Sequence, residues 1–99
     1  MALVAVTDHA VERYGQRVRG TLDPRTEIAA RVEQAIQAGR VEPGERGAKL
    51  VRDVRIPSLV YVCMEDRPRG ELIVVTLYEE GEDAAVPQRF TNVLRRRRG

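Results

Sequence analysis

SLVYVCMEDRPRGELIVVTLYEE, residues 58–80, is the stretch on which the fold turns. Its first run, SLVYVCME, is apolar at odd and even positions alike, the composition of a central strand covered on two sides. Its last run, ELIVVTLYEE, is rich in β-branched residues that suit a pleated, packed surface. The link DRPRG, residues 66–70, brings Pro and Gly together in a length that fits a hairpin. The two runs therefore read as neighbouring antiparallel strands.

Upstream, the pattern loosens. KLVRDVRI, residues 49–56, reads as a half-exposed strand in which Arg52 interrupts Leu50, Val54 and Ile56, and which Pro57 ends or bends. The two-residue period of a strand sends Arg52 and Arg55 to opposite faces. VEPGERGA, residues 41–48, has turn chemistry throughout and no periodicity.

Earlier still, the spacing is helical. Asp23 offers an N-cap, Pro24 sits at N1, and Gly39 stands where a left-handed C-cap is expected. Between them Ile28, Val32, Ala35 and Ile36 make one apolar face, while Glu27 and Arg31 can pair at i, i+4 on another. TDHAVERYGQRV, residues 7–18, gives the other helix. Thr7 or Asp8 caps it, and Ala10, Val11, Tyr14 and Val18 form its buried stripe. Gly15 costs about 1 kcal/mol there relative to Ala, so this helix is expected to break early or pack closely. LVAV, residues 3–6, is either a short strand or an apolar lead-in. The expected class is α+β, with two N-terminal helices packed on one face of a mainly antiparallel sheet of three to four strands.

Composition narrows the function. The chain has 99 residues, 42% hydrophobic and 32% charged, which suits one globular domain. No apolar run approaches the roughly 20 residues needed to span a bilayer, and the first residues lack a basic n-region. A cytoplasmic protein without a membrane partner is expected. The lone Cys63 lies in the run LVYVCM as a small buried hydrophobe. With one Cys and one His there is no zinc motif, GERG lacks the ending of a phosphate loop, and no Ser-His-Asp set is indicated. No metal or cofactor is expected.

The charge is unevenly placed. Residues 1–94 carry 13 basic and 15 acidic side chains, a net of −2, so the basic character of the chain sits in Arg95, Arg96, Arg97 and Arg98. Residues 1–94 are read as the domain and 95–99 as a basic tail able to meet phosphates non-specifically. EEGEDAAVP, residues 79–87, is an acidic connector, and the spacing of Phe90, Val93 and Leu94 permits one short helix that docks on the core.

The Thr7-Asp8-His9-Ala10 start with Arg13 one turn on, the second helix, and a late strand with Val74, Val75, Thr76 and Tyr78 resemble a family of small RelE-like proteins of unassigned function. That family is grouped with the barnase, EndoU, colicin and RelE ribonuclease-like fold. The resemblance spans roughly residues 7–78. It implies a compact sheet with helices on one side and points to metal-independent RNA cleavage, with RNA and an antitoxin-like protein as partners.

Such cleavage needs a base for the 2′-hydroxyl, an acid for the leaving oxygen and cations on the phosphorane. His9, Arg13 and Arg17 fall at i, i+4 and i+8, so one helix face offers a titratable imidazole and two guanidinium groups. His9 would move the proton; Arg13 and Arg17 would hold the phosphate. Arg52, Tyr78 and Arg95–Arg98 are the expected nucleic-acid contacts. Tyr14, on the apolar side, belongs to the core. The near-neutral body and the absence of a second histidine keep open two further readings. One is a non-catalytic relative that binds protein or nucleic acid; the other is a homodimer formed through a strand edge.

Overall fold

A computed structural model describes residues 3–81. The elements are β1 (Leu3–Val6), α1 (Asp8–Arg17), α2 (Pro24–Gln37), β2 (Val41–Pro43), β3 (Lys49–Arg52), β4 (Leu59–Asp66) and β5 (Glu71–Glu79). The five strands form one sheet in the order β1-β5-β4-β3-β2. β1 runs parallel to β5, and every other pair is antiparallel. The class is α+β as the sequence indicates. No described helix is long and apolar enough to cross a membrane.

The sheet is larger than three to four strands, and it is mixed. LVAV is a strand, because pairing with β5 satisfies backbone groups that four isolated residues could not. VEPGERGA is not turn throughout: Val41–Pro43 pairs with Val51–Lys49, and the turn itself is confined to Glu45–Gly47. β3 ends at Arg52, so the strand period never reaches Arg55, and the expectation of opposite faces for Arg52 and Arg55 does not apply. β4 is the central strand, and its hairpin to β5 falls where DRPRG places it.

Both helices pack on one face. Ala10 and Tyr14 of α1 and Ile28, Val32 and Ala35 of α2 are fully buried against Val51, Leu59, Tyr61, Cys63, Leu72, Val74 and Leu77. Ile36, expected on the apolar face, is more than a third exposed at the end of α2. There Gly39 takes a φ of 76°, and the Arg40 amide returns to the Ala35 carbonyl, as a left-handed cap requires.

A bulge sets the face of β5. Val62 lies opposite Thr76 but Cys63 opposite Val74, so Val75 is an extra residue, and Val74 and Leu77 both turn to the helices. Thr7 holds this bulge. Its amide donates to the Val74 carbonyl at 3.1 Å and its hydroxyl to the Val75 carbonyl at 2.8 Å, while its Oγ1 also accepts from the Ala10 amide. Thr7→Ala removes the cap and the bulge contact together, and a loss of about 1–2 kcal/mol is expected in urea unfolding.

Gly15 neither breaks α1 nor packs closely; the helix runs through it, and a Cβ built there meets nothing within 4 Å. Gly15→Ala therefore gains helix propensity without a clash. Thermal unfolding is expected to show a stabilisation of about 0.5–1 kcal/mol.

Candidate functional site

The residues singled out from the sequence fall into two groups on different parts of the molecule. On α1, His9 is exposed and has no side-chain partner among the described residues. Arg13 is half-buried, and its Nε donates to the Leu77 carbonyl at 2.8 Å. β1 covers only Glu71–Val74 of β5, so the α1 cap and Arg13 continue the edge: Thr7 takes the Val74 and Val75 carbonyls, and Arg13 takes Leu77. Arg17 is half-buried one turn further on. The shared face expected for these three exists, but Arg13 spends part of its guanidinium on the sheet.

The second group lies on the opposite side. Arg52 pairs with Val60 across β3 and β4, and Val60 with Tyr78 across β4 and β5, which puts all three in one row on the face away from the helices. Arg52 does not point freely outward. Its two terminal nitrogens meet the two Glu80 carboxylate oxygens at 2.7 and 3.2 Å, and Nη1 also donates to the Pro57 carbonyl at 2.9 Å. Hydrogen bonding to Arg52 holds the Glu80 carboxyl below its ordinary value. Burial, with Glu80 nearby, pushes the Tyr78 phenol up. Arg95, Arg96, Arg97 and Arg98, and the helix expected around Phe90, lie outside the described residues.

The register shows what surrounds that row. Next to it stand Thr76, Val62 and Leu50, then Ile73 with Met64 on one side and Ala5 on the other. Of these nine positions only Arg52 and Thr76 lack a substantial apolar surface. An antiparallel sheet with one solvated face normally alternates apolar inward and polar outward. Here the outward rows are apolar too. Met64 is 37% exposed, and Val60, only 2% exposed, stands outside the helix-side core. Half-buried Leu50, Val62 and Ile73 around the exposed Met64 make a contiguous apolar surface, the kind an interaction face presents.

The sequence missed a buried polar network on the other side of the sheet. Asp53, 1% exposed, follows β3. Its Oδ1 accepts from the Arg55 and Ile56 amides at 2.7 and 2.9 Å, and its Oδ2 from the Tyr61 hydroxyl at 2.5 Å. Arg31 Nη1 reaches both oxygens at 3.2 and 3.1 Å. Burial is the largest influence on this carboxyl and pushes it up. The bonds from Tyr61, the Ile56 amide, Arg31 and the Arg55 amide together exceed it and hold the group below its ordinary value. Glu27 continues the chain, accepting from Tyr14 at 2.5 Å and lying 3.5 Å from Arg31 Nε. The expected Glu27–Arg31 pair is present, but as part of this network and not as a solvated surface pair. The Asp-x-x amide-bonding turn was a readable signal; its partner on α2, 22 residues away, was not.

Beside the network lies an open concavity of about 380 Å³ lined by Glu27, Ala30, Arg31, Gln34 and Arg55. Arg31 at its wall is held by both Asp53 and Glu27. Burial pushes the Cys63 thiol up to about 12, which leaves it an inert core group at neutral pH. Among the described residues no three His, Cys, Asp or Glu side chains stand together as a metal site. No protein-family model, curated protein or solved structure matches the chain.

Proposed function

We propose that the chain is a non-catalytic relative of the RelE-like ribonucleases that acts in the cytoplasm as a protein-binding module, docking its partner on the sheet face away from α1 and α2. The supporting observation is the apolar character of that face across three strands. A soluble two-layer domain gains nothing by keeping Leu50, Val62, Met64 and Ile73 outward unless something covers them. The strand edges favour a face over an edge as the contact. The β5 edge beyond β1 is capped by Thr7 and Arg13, β1 is four residues long with Arg25 on its Val6 carbonyl, and β2 is three residues long with Pro43 in it, features that oppose strand addition. An antitoxin-like protein is the kind of partner the RelE resemblance suggests.

RNA cleavage is the second reading, favoured by the exposed His9 on a helix that also carries Arg13 and Arg17. A photo-cross-linker introduced at Met64, with Gln37 on α2 as control position, separates the two in the producing cell. The docking reading expects a protein adduct at 64 only, lost on Ile73→Asp in a variant that still folds. RNA adducts at 64, together with cleavage of labelled RNA in EDTA that His9→Ala abolishes, would replace it with the nuclease.

A further inference from the structure

We propose that the concavity between α2 and the turn at residues 53–58 binds an acidic α-amino acid. It is a site separate from the docking face, because it lies on the helix side of the sheet. One wall is a single stripe of α2, with Glu27, Ala30, Arg31 and Gln34 at i, i+3, i+4 and i+7, and Arg55 stands across from it. The volume of about 380 Å³ falls within the range of small-molecule sites. Ala30, with only a methyl group, leaves open the space between Glu27 and Gln34.

One buried carboxylate organises both arginines. Asp53 Oδ1 accepts from the Arg55 amide at 2.7 Å, which fixes the backbone that presents Arg55, and both Asp53 oxygens hold Arg31 Nη1. Arg31 Nε lies 3.5 Å from Glu27 Oε2, the oxygen that also accepts from the Tyr14 hydroxyl. These contacts leave a defined set of groups unused. Arg31 Nη2, Glu27 Oε1, the Gln34 side-chain amide and the Arg55 guanidinium take no hydrogen bond among the described residues. The formal charges of Asp53, Glu27, Arg31 and Arg55 cancel, so neither a bare anion nor a bare cation matches the set.

A dipolar ligand does. An α-amino acid carries its carboxylate and ammonium on one carbon, as Arg31 and Glu27 carry a donor and an acceptor on adjacent turns of one helix face. The α-carboxylate accepts from Arg31 Nη2, the ammonium donates to Glu27 Oε1, and a side-chain carboxylate meets Arg55 and Gln34. Glutamate or aspartate therefore answers every unused group, and alanine answers only the first two. Because Asp53 holds Arg31 in place beforehand, less side-chain freedom is lost on binding.

The test titrates the ¹⁵N-labelled whole chain with L-glutamate, L-alanine, glutarate and propylamine. It follows the Gln34 side-chain amide and the Arg31 and Arg55 Nε–H signals, with Thr76 of β5 as a reference across the sheet. Expected for L-glutamate is a saturable shift with a dissociation constant below about 1 mM. The other three compounds should bind at least about tenfold more weakly, since each lacks one or more charged hydrogen bonds. Arg55→Gln should bring L-glutamate to the affinity of L-alanine, and Ala30→Leu, at an exposed helix position, should block both. Shifts that do not saturate overturn the proposal. So does glutarate binding as tightly as L-glutamate, or an unchanged L-glutamate affinity in a folded Arg55→Gln variant. None of these results bears on the Met64 cross-link, so the docking reading stands or falls separately.

Discussion

Asp53→Ala is expected to lower the unfolding free energy by about 3–5 kcal/mol, the usual cost of removing one partner from a buried ion pair. The reason lies in what the substitution strands. Arg31 keeps its charge against the core, the Tyr61 hydroxyl loses its acceptor in a fully buried site, and the Arg55 and Ile56 amides lose theirs. Tyr61→Phe removes a single bond to the carboxylate, and about 1.5–3 kcal/mol is expected. Urea unfolding of the two variants at neutral pH checks both values and their order.

The same carboxyl fixes an acid limb. Asp53 titrates lower in the folded protein than in the unfolded chain, where about 3.9 is ordinary. Its contribution is therefore fully present above about pH 4 and is lost as pH falls through the depressed folded value. Wild type and Asp53→Ala should accordingly converge in stability below pH 4. Parallel curves down to the lowest pH would show that the carboxylate charge contributes nothing. At the alkaline end the sign reverses. Burial, aided by Glu27 and Asp53 respectively, raises the phenols of Tyr14 and Tyr61. Above about pH 10 the unfolded chain gives up protons that the folded one keeps, and stability falls.

Tyr14→Ala is the second large effect, about 3–5 kcal/mol in chemical denaturation. Its ring is fully buried where α1, α2 and the sheet meet, and its hydroxyl donates to Glu27. Tyr14→Phe keeps the ring and loses only the bond to a charged acceptor, so about 1.5–3 kcal/mol is expected. The difference between the two isolates packing from hydrogen bonding. A Tyr14→Phe variant as unstable as Tyr14→Ala would mean that the network, and not the ring, holds α1 to α2.

Local chemistry is what sequence reports well, and several elements show it. Thr7 and Asp23 as caps, Pro24 at N1, Gly39 at the helix end and DRPRG as a hairpin each depend on neighbours within a few residues. All are found where the sequence indicated. The α+β class followed from the change of period between residues 37 and 49. The apolar run of β4 read as a central strand covered on both faces; the strand is central, and among the described residues helices cover one of its faces.

What only the tertiary structure decided depends on residues far apart in the chain. β1 became a strand through β5, 68 positions from Leu3, and β2 through its pairing with β3; three or four residues carry too little periodicity to announce themselves. Asp53 found Arg31 and Tyr61 because the β3–β4 turn lies over α2, a juxtaposition no spacing rule encodes. His9, Arg13 and Arg17 share a helix face as their spacing dictates, yet whether that face meets solvent or a strand edge was settled by where β1 stops. Arg52 and Tyr78 were picked as single residues; the register made them one row and set Glu80 against the arginine. A side chain's chemistry is written in its identity, but its counter-charge, its solvent and its neighbours are set by contacts that close only when the whole sheet has formed.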